Sequence, residues 1–164
     1  VVNFQEKPAD PNSTLVSIAC YAFRAADLPK FEDYLAEDKN PDEPGWFMQW
    51  LQQNGEVNAF TFDGAWYDIG TPESYLDAVS WALGGENHVA DGATVENTDL
   101  GENVLVLPGS EVTDSVLDRS VVFGNATISN SDIRNSIIDE ETHLDNLDLS
   151  GALIGSHSRI VHDE

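Results

Sequence analysis

The stretch Val112-Thr113-Asp114-Ser115-Val116-Leu117-Asp118-Arg119-Ser120-Val121-Val122 repeats a short motif, with an aliphatic residue at its first, sixth and eleventh positions. Ser115 and Ser120 stand two positions before the second and third of these aliphatic residues. Residues two apart in a β-strand point to the same face. Each short strand therefore places one small and one large side chain inward, which predicts a stack of short strands around an aliphatic interior.

The same pattern extends over the second half of the chain. Fourteen aliphatic residues follow one another at steps of five or six residues, and most have Ala, Ser or Thr two positions earlier. From Val112 onward the steps run five, five and six, so the pattern closes every 16 residues. A fixed period of this kind predicts a solenoid, here with three strands in each coil. The fourteen positions are Val89, Val95, Leu100, Val106, Val112, Leu117, Val122, Ile128, Ile133, Ile138, Leu144, Leu149, Ile154 and Ile160.

The 16-residue period predicts three columns of stacked aliphatic side chains. Residues 84–164 thereby resemble the hexapeptide-repeat left-handed β-helix. The left-handed crossover is implied by that resemblance, because spacing alone does not fix it. An ordinary β-sandwich is the alternative interpretation. The predicted columns are Val112, Ile128, Leu144 and Ile160; Leu117, Ile133 and Leu149; and Val122, Ile138 and Ile154.

Residues 1–83 follow a different pattern, in which short apolar strands alternate with helices. Cys20 lies in one of the strand patterns, which predicts a small buried hydrophobic residue. Gly84-Gly85 ends the last helix, so the predicted domains are 1–83 and 84–164. The strands are predicted at 1–4, 13–23 and 56–62, and the helices at 25–36, 46–53 and 72–83.

The segment Trp66–Pro72 joins a predicted strand to a predicted helix. Thr71 is a good helix N-cap, and Pro72 fits the first helical turn. Asp68 is therefore expected at the carboxyl end of a strand, where ligands bind in open α/β sheets. A carboxylate there can hold a divalent cation against phosphates. The alternative is that Asp68 only caps the helix or lies in a solvated loop.

A second motif, Glu6-Lys7-Pro8, follows the first predicted strand. The order of this motif, the strand over 13–23 and Trp66–Pro72 resembles the sugar-phosphate nucleotidyltransferases, which make nucleoside-diphosphate sugars. The resemblance covers residues 1–83 and only the second half of that family's catalytic domain. It implies an α/β plus all-β fold: a partial doubly wound nucleotidyltransferase sheet followed by a left-handed parallel β-helix.

The resemblance also implies roles for three residues in nucleotidyl transfer from a nucleoside triphosphate to a sugar 1-phosphate. Lys7 would neutralise the sugar phosphate, and Glu6 would accept hydrogen bonds from sugar hydroxyls. Asp68 would be one of two carboxylates on Mg²⁺ and would line the same cleft as Lys7. For Glu6 and Lys7, an exposed ion pair without function is the alternative.

Several parts that this family needs are not found in the chain. No glycine-rich phosphate-binding motif occurs, and Ala19-Cys20 stands where the family tends to have Gly before the strand tyrosine. We therefore expect the chain to be the carboxyl-terminal portion of a longer enzyme, inactive by itself. The nucleotide base and the sugar stay open.

The charge balance is extreme, with 30 acidic against 7 basic residues and a net charge of −23. Such a charge disfavours nucleic-acid binding, because phosphates would be repelled. No apolar run is long enough to span a membrane, and no signal segment opens the chain, so a cytoplasmic protein is predicted. Dense surface carboxylates favour a halophilic, haloarchaeal-like cytoplasm, where salt screens the self-repulsion. A surface for cations or basic partners is the alternative.

Two other functions remain open for the repeat tract. It could be an oligomerisation or regulatory module without catalysis, since homo-oligomers through the β-helix are expected. It could also belong to a hexapeptide acyltransferase, in which His143 or His157 would act as general base. Neither histidine has a carboxylate partner that the sequence spacing reveals, so solvated turn positions are the favoured interpretation.

Overall fold

A computed structural model describes residues 1–162 of the chain. The chain forms two compact units, one of residues Val1–Trp66 and one that begins at Tyr67. This boundary is one of compactness, and the domain division predicted after residue 83 stays a prediction. No helix within the described residues is long and apolar enough to cross a membrane.

The first unit contains a 3-10 helix, Ala25–Asp27, and two α-helices, α1 (Lys30–Ala36) and α2 (Pro44–Asn54). The predicted helices at 25–36 and 46–53 are thus confirmed, with a break at Pro29 because proline disturbs a helix interior. An aromatic core forms between α1 and α2, in which the rings of Phe31 and Phe47 stack with centroids 4.0 Å apart. Its fully buried members are Tyr34, Phe47, Met48 and Leu51.

The strands predicted in the first unit are not formed. No strand occurs within residues 1–87, because none of the three apolar segments forms a hydrogen-bonded ladder with another strand. The Val1 amino group reaches the Val57 carbonyl oxygen at 2.7 Å, but no ladder follows. The predicted burial is half right, because Phe4, Tyr21, Phe23 and Val57 pack against the aromatic core, whereas Val2, Leu15, Val16 and Phe60 are exposed.

Cys20 is exposed, so the prediction of a buried residue is wrong. The prediction depended on a strand over 13–23 that would turn alternate side chains into a core. Without that strand, the Cys20 side chain lies open to solvent.

In the second unit, α3 spans Pro72–Leu83, with the bounds that the sequence predicts. Thr71 is the N-cap: its Oγ1 accepts the N–H of Ser74 at 3.2 Å, and the Ser74 Oγ accepts the N–H of Thr71 at 3.2 Å. Gly84 ends the helix with φ 63°, in the left-handed region that glycine adopts without a steric penalty. This capping box and glycine explain why the helix bounds could be read from the sequence.

The rest of the second unit is a parallel β-helix of three sheets. Sheet A consists of β1 (His88–Val89), β4 (Leu105–Val106), β7 (Val121–Val122), β10 (Ile137–Ile138) and β13 (Leu153–Ile154). Sheet B consists of β2 (Thr94–Glu96), β5 (Glu111–Thr113), β8 (Thr127–Ser129), β11 (His143–Asp145) and β14 (Arg159–Val161). Sheet C consists of β3 (Asp99–Leu100), β6 (Val116–Asp118), β9 (Asp132–Arg134) and β12 (Asp148–Ser150).

The predicted columns are confirmed by the strand register. Val112 pairs with Ile128, Leu117 with Ile133 and Val122 with Ile138, each 16 residues apart. The first coil is one residue longer, since His88 pairs with Leu105. The column residues of the middle coils are fully buried: Val106, Val112, Leu117, Val122, Ile128, Ile133, Ile138 and Leu144.

The small residues before each aliphatic position form hydrogen-bonded ladders at the corners. Ser120 Oγ donates to the Asp118 carbonyl oxygen at 2.8 Å and accepts the N–H of Ser136 at 3.1 Å, one coil later. Ser136 repeats the arrangement toward Ala152 at 3.0 Å. A buried N–H without a partner is costly, which explains why hydroxylic residues are so frequent at this repeat position.

Left-handed backbone residues close the turns at each corner. One column is Asn97, Asp114, Asn130 and Asn146, with φ between 48° and 57°. Asn and Asp tolerate this region better than most residues. The recurrence of such residues at 16- or 17-residue spacing therefore turns the chain at the same point of each coil.

Helix α3 covers the outer face of sheet A within the second unit. Leu76, 2% exposed, packs with Val121 and Ile137, and the Tyr75 and Phe123 rings stack with centroids 6.5 Å apart. The outward residues of a β-helix are usually polar, so this covering explains why sheet A carries apolar residues on both faces.

Candidate functional site

Lys7 and Glu6 lie at the amino-terminal end of α2. The Lys7 Nζ donates to Glu43 Oε1, and the two side chains form an ion pair. This hydrogen bond raises the pKa of the Lys7 amine above its usual value and lowers the pKa of the Glu43 carboxyl. Lys7 thus forms an exposed ion pair, with Glu43 as its partner, and its role toward a sugar phosphate stays a prediction.

Glu43 is a partner of Lys7 that the sequence analysis missed. Its carboxylate accepts hydrogen bonds from Lys7, from Trp46 Nε1 at 2.9 Å and from Asn40 Nδ2 at 3.0 Å. Residues 40–45 are rich in Asn, Pro and Gly, which by itself indicates only a break between helices. An acidic residue directly before Pro-Gly at a helix start was the available signal, but no local rule connects it with Lys7, 36 residues earlier.

Glu6 is held by the same helix. Its backbone N–H donates to Gln49 Oε1 at 2.8 Å. Its carboxylate lies over Gly45, where a Cβ would come within 2.8 Å of Oε1 and closer still to Oε2. Glu6 and Lys7 are therefore both fixed by the first turns of α2.

Three residues of the first unit have left-handed backbones without being glycine. Lys7 has φ 46°, Ala19 has φ 58° and Asp38 has φ 56°, a conformation that costs about 1–2 kcal/mol for residues with a Cβ. Close to Ala19, Ser17 Oγ donates to Tyr21 Oη at 2.9 Å. Ala19 lies in the stretch before Tyr21 where the resembled family tends to have glycine, and its backbone has a conformation that glycine adopts readily.

Asp68 lies in the second unit and is exposed. Within residues 1–162, no group of three or more His, Cys, Asp or Glu side chains is arranged to hold a metal ion. Mg²⁺ is commonly held by one or two carboxylates together with substrate phosphates. A single open carboxylate fits one half of such a site.

Lys7 and Asp68 belong to different compact units. Lys7 contacts Glu43, and Glu6 contacts α2 through Gln49. The shared cleft of Lys7 and Asp68 stays a prediction.

The two candidate histidines of the repeat tract differ from each other. His143 lies half-buried in β11, so the solvated turn position predicted for it is wrong. His157 Nδ1 lies 2.9 Å from Glu141 Oε2, a partner that the sequence spacing does not reveal. The two residues are 16 apart, and one coil of the β-helix brings them side by side. Both side chains are mostly exposed, 67% and 54%, so the surface turn position predicted for His157 holds.

The family model for nucleotidyl transferases matches residues 1–83, half of the chain. The chain belongs to the nucleotidyl transferase family. The fold described above is consistent with a nucleotidyl transferase domain followed by a left-handed β-helix. The predicted family is thus confirmed, and it is a family of enzymes.

Several curated relatives match this nucleotidyl transferase chain along most of its length. Glucose-1-phosphate adenylyltransferase of Desulfitobacterium hafniense (strain Y51) is 29% identical in an alignment of 189 residues, gaps included, that covers 98% of this chain and 46% of the relative. The enzyme of the same name from Thermotoga sp. (strain RQ2) is 34% identical in an alignment of 137 residues that covers 76% of this chain and 32% of the relative. The enzyme of that name from Fusobacterium nucleatum is 29% identical in an alignment of 168 residues that covers 98% of this chain and 40% of the relative. The chain thus spans about half the length, or less, of these relatives.

Proposed function

We propose that the chain provides the sugar-phosphate side of an enzyme that transfers a nucleotidyl group to a sugar 1-phosphate and releases pyrophosphate. The observation that carries this proposal is the Glu6–Lys7 pair fixed against Glu43 at the start of α2. The names of the relatives favour glucose 1-phosphate and an adenine nucleotide as substrates.

Lys7 has the charge that this reaction needs, because two negatively charged substrates must come together. The sugar phosphate attacks the α-phosphate of the nucleotide, so two anions must approach each other, and catalysis depends on positioning and charge neutralisation. Lys7 supplies a positive charge in a chain that has only seven basic residues. Glu6 supplies acceptors that fit sugar hydroxyls.

Asp68 is proposed as one carboxylate of a Mg²⁺ site. The metal would lower the repulsion between the phosphates. The exposed position of Asp68 directly before α3 leaves its oxygens free for this role.

We also propose that the chain acts together with further parts of the catalytic domain. Support comes from the first unit, where apolar side chains such as Val2 (99% exposed) and Phe60 (89% exposed) lack cover. Exposed apolar area of this kind marks a surface that is normally buried. The chain by itself is then expected to be inactive.

A pyrophosphate-release assay with ATP and glucose 1-phosphate tests these proposals. The full-length protein should release pyrophosphate, and the Asp68→Asn variant should lose most of this activity. The control variant Asp63→Asn removes an exposed carboxylate five residues earlier in the chain and should keep the activity. Normal turnover of Asp68→Asn would exclude the metal role. Turnover by the 164-residue chain alone would exclude the proposed dependence on other parts.

Association through the β-helix is a second proposed role. The last described coil exposes Leu153, Ile160 and Val161 by 61%, 38% and 38%, unlike the middle coils. Light scattering after size exclusion in high salt should show a dimer or larger oligomer. The Leu153→Lys variant should shift it toward monomer, and a wild-type protein that is strictly monomeric would contradict this role.

A further inference from the structure

The presence of glycine at position 45 is not explained by its backbone conformation. Gly45 lies inside α2 and is buried, and its φ is not in the left-handed region. Glycine is a poor helix former, so neither flexibility nor helix stability accounts for it. What does account for it is space, because the Glu6 carboxylate occupies the volume that a Cβ would fill.

Gln49 lies one helical turn after Gly45 and therefore on the same face of α2. Its Oε1 accepts the Glu6 backbone N–H at 2.8 Å. Glu6 thus contacts one helix face at two points: its backbone N–H donates to Gln49, and its carboxylate lies over Gly45.

We propose that Gly45 and Gln49 are positioning residues that aim the Glu6 carboxylate at the sugar of the substrate. This inference depends on the proposed function, in which Glu6 accepts hydrogen bonds from sugar hydroxyls. A side chain at position 45 displaces the carboxylate, and loss of the Gln49 acceptor releases the Glu6 backbone. A misplacement of about 1 Å can lower a rate about 100-fold.

The kinetic test compares Gly45→Ala and Gln49→Leu with two matched controls in the full-length protein. Gly64→Ala places a Cβ no closer than 3.5 Å to a neighbouring atom, and Gln53→Leu removes an exposed amide on the same helix. Gly45→Ala and Gln49→Leu should each raise the KM for glucose 1-phosphate by roughly 10- to 100-fold and leave the KM for ATP unchanged. The two control variants should leave both KM values unchanged.

A double-mutant cycle shows whether Gly45 acts through Glu6. In the Glu6→Ala background, Gly45→Ala should have no further effect on the KM for glucose 1-phosphate. Combining Glu6→Asp, whose side chain is shorter by one methylene, with Gly45→Ala should recover part of the rise in KM caused by Gly45→Ala. Additive effects, or equal increases in both KM values, would overturn the proposal. The melting temperature of Gly45→Ala should not fall, since alanine favours the helix.

An NMR measurement of the chain separates this inference from the proposed function. The amide resonance of Glu6 should shift, and its hydrogen exchange should accelerate, in Gly45→Ala and Gln49→Leu but not in the two controls. An unchanged Glu6 amide would overturn the positioning role. If the wild-type full-length protein releases no pyrophosphate while the amide responds as expected, the proposed function fails and the hold of α2 on Glu6 stands.

Discussion

Arg119 Nη2 donates to Asp77 Oδ1 at 2.6 Å and so connects a corner of the β-helix to α3. The same nitrogen lies 3.1 Å from Glu73 Oε1, and Nη1 donates to Asn135 Oδ1 at 3.1 Å. The guanidinium side chain is only 22% exposed, although its acidic partners are more open. One side chain thus joins helix, corner and neighbouring coil.

Replacing Arg119 with Gln should lower the free energy of unfolding by about 0.5–1.5 kcal/mol, because solvent screens ion pairs whose acidic partners are exposed. Thermal unfolding at constant salt measures the change. Arg134 pairs only with Asp132 on its own strand, so Arg134→Gln is the control and should cost less. Equal losses in the two variants would show that the link to α3 contributes nothing.

The 16-residue column over Val112 predicts different costs for the same substitution at different coils. Ile128 is fully buried, whereas Ile160 in the same column is 38% exposed. Ile128→Ala should cost about 2–5 kcal/mol, because a cavity remains in a tightly packed interior. Ile160→Ala should cost clearly less in denaturant titrations, and equal costs would contradict the packing described here.

Replacing Ala19 with glycine should stabilise the folded protein. Its φ of 58° costs about 1–2 kcal/mol for a residue with a Cβ, whereas glycine loses about 0.4–1 kcal/mol through the greater freedom of the unfolded chain. The difference predicts a gain of roughly 0.5 kcal/mol in Ala19→Gly. Ala22, whose φ is not positive, is the control, and Ala22→Gly should destabilise. A loss in both variants would disprove the strain at Ala19.

The Lys7–Glu43 pair predicts a pH dependence with a definite sign. The pKa of the Glu43 carboxyl is lowered from its usual 4.5, first by the Lys7 hydrogen bond and then by that of Trp46. The ionised carboxylate therefore stabilises the fold above pH 4.5, and this stabilisation is lost as the pH falls through the lowered pKa. The pKa of the Lys7 amine is raised from its usual 10.5, so its stabilising effect is present below pH 10.5 and is lost as the pH rises through the raised pKa. In Lys7→Met, the Glu43 pKa measured by NMR should move up toward its usual value. Lys39→Met, which removes the partner of Glu37, should leave it unchanged.

The net charge of −23 predicts that salt stabilises the chain. The screening length falls from about 10 Å at 0.1 M to about 3 Å at 1 M, which weakens repulsion among surface carboxylates. The melting temperature should rise over this range, and Asp148→Asn on the exposed face of sheet C should reduce the slope. A melting temperature independent of salt would contradict the halophilic interpretation.

The β-helix could be predicted almost completely, because each coil repeats the same local rule. Val112, Leu117 and Val122 define a coil, and the register places the next coil 16 residues later. Helix α3 was equally predictable, since Thr71 and Gly84 are local start and stop signals. The first unit was less predictable, because its apolar segments depend on partners for their backbones.

The amino-acid sequence by itself determined the coil period, the columns of the interior, the bounds of α3 and the pair Glu6-Lys7. Each of these depends on neighbours within a few residues or on a fixed repeat. Only the tertiary structure decided that Glu43, Gly45 and Gln49 surround this pair, that Glu141 meets His157, and that Cys20 is open to solvent. The physical reason is that these contacts join residues far apart in the chain, and their positions follow from packing rather than from any local pattern.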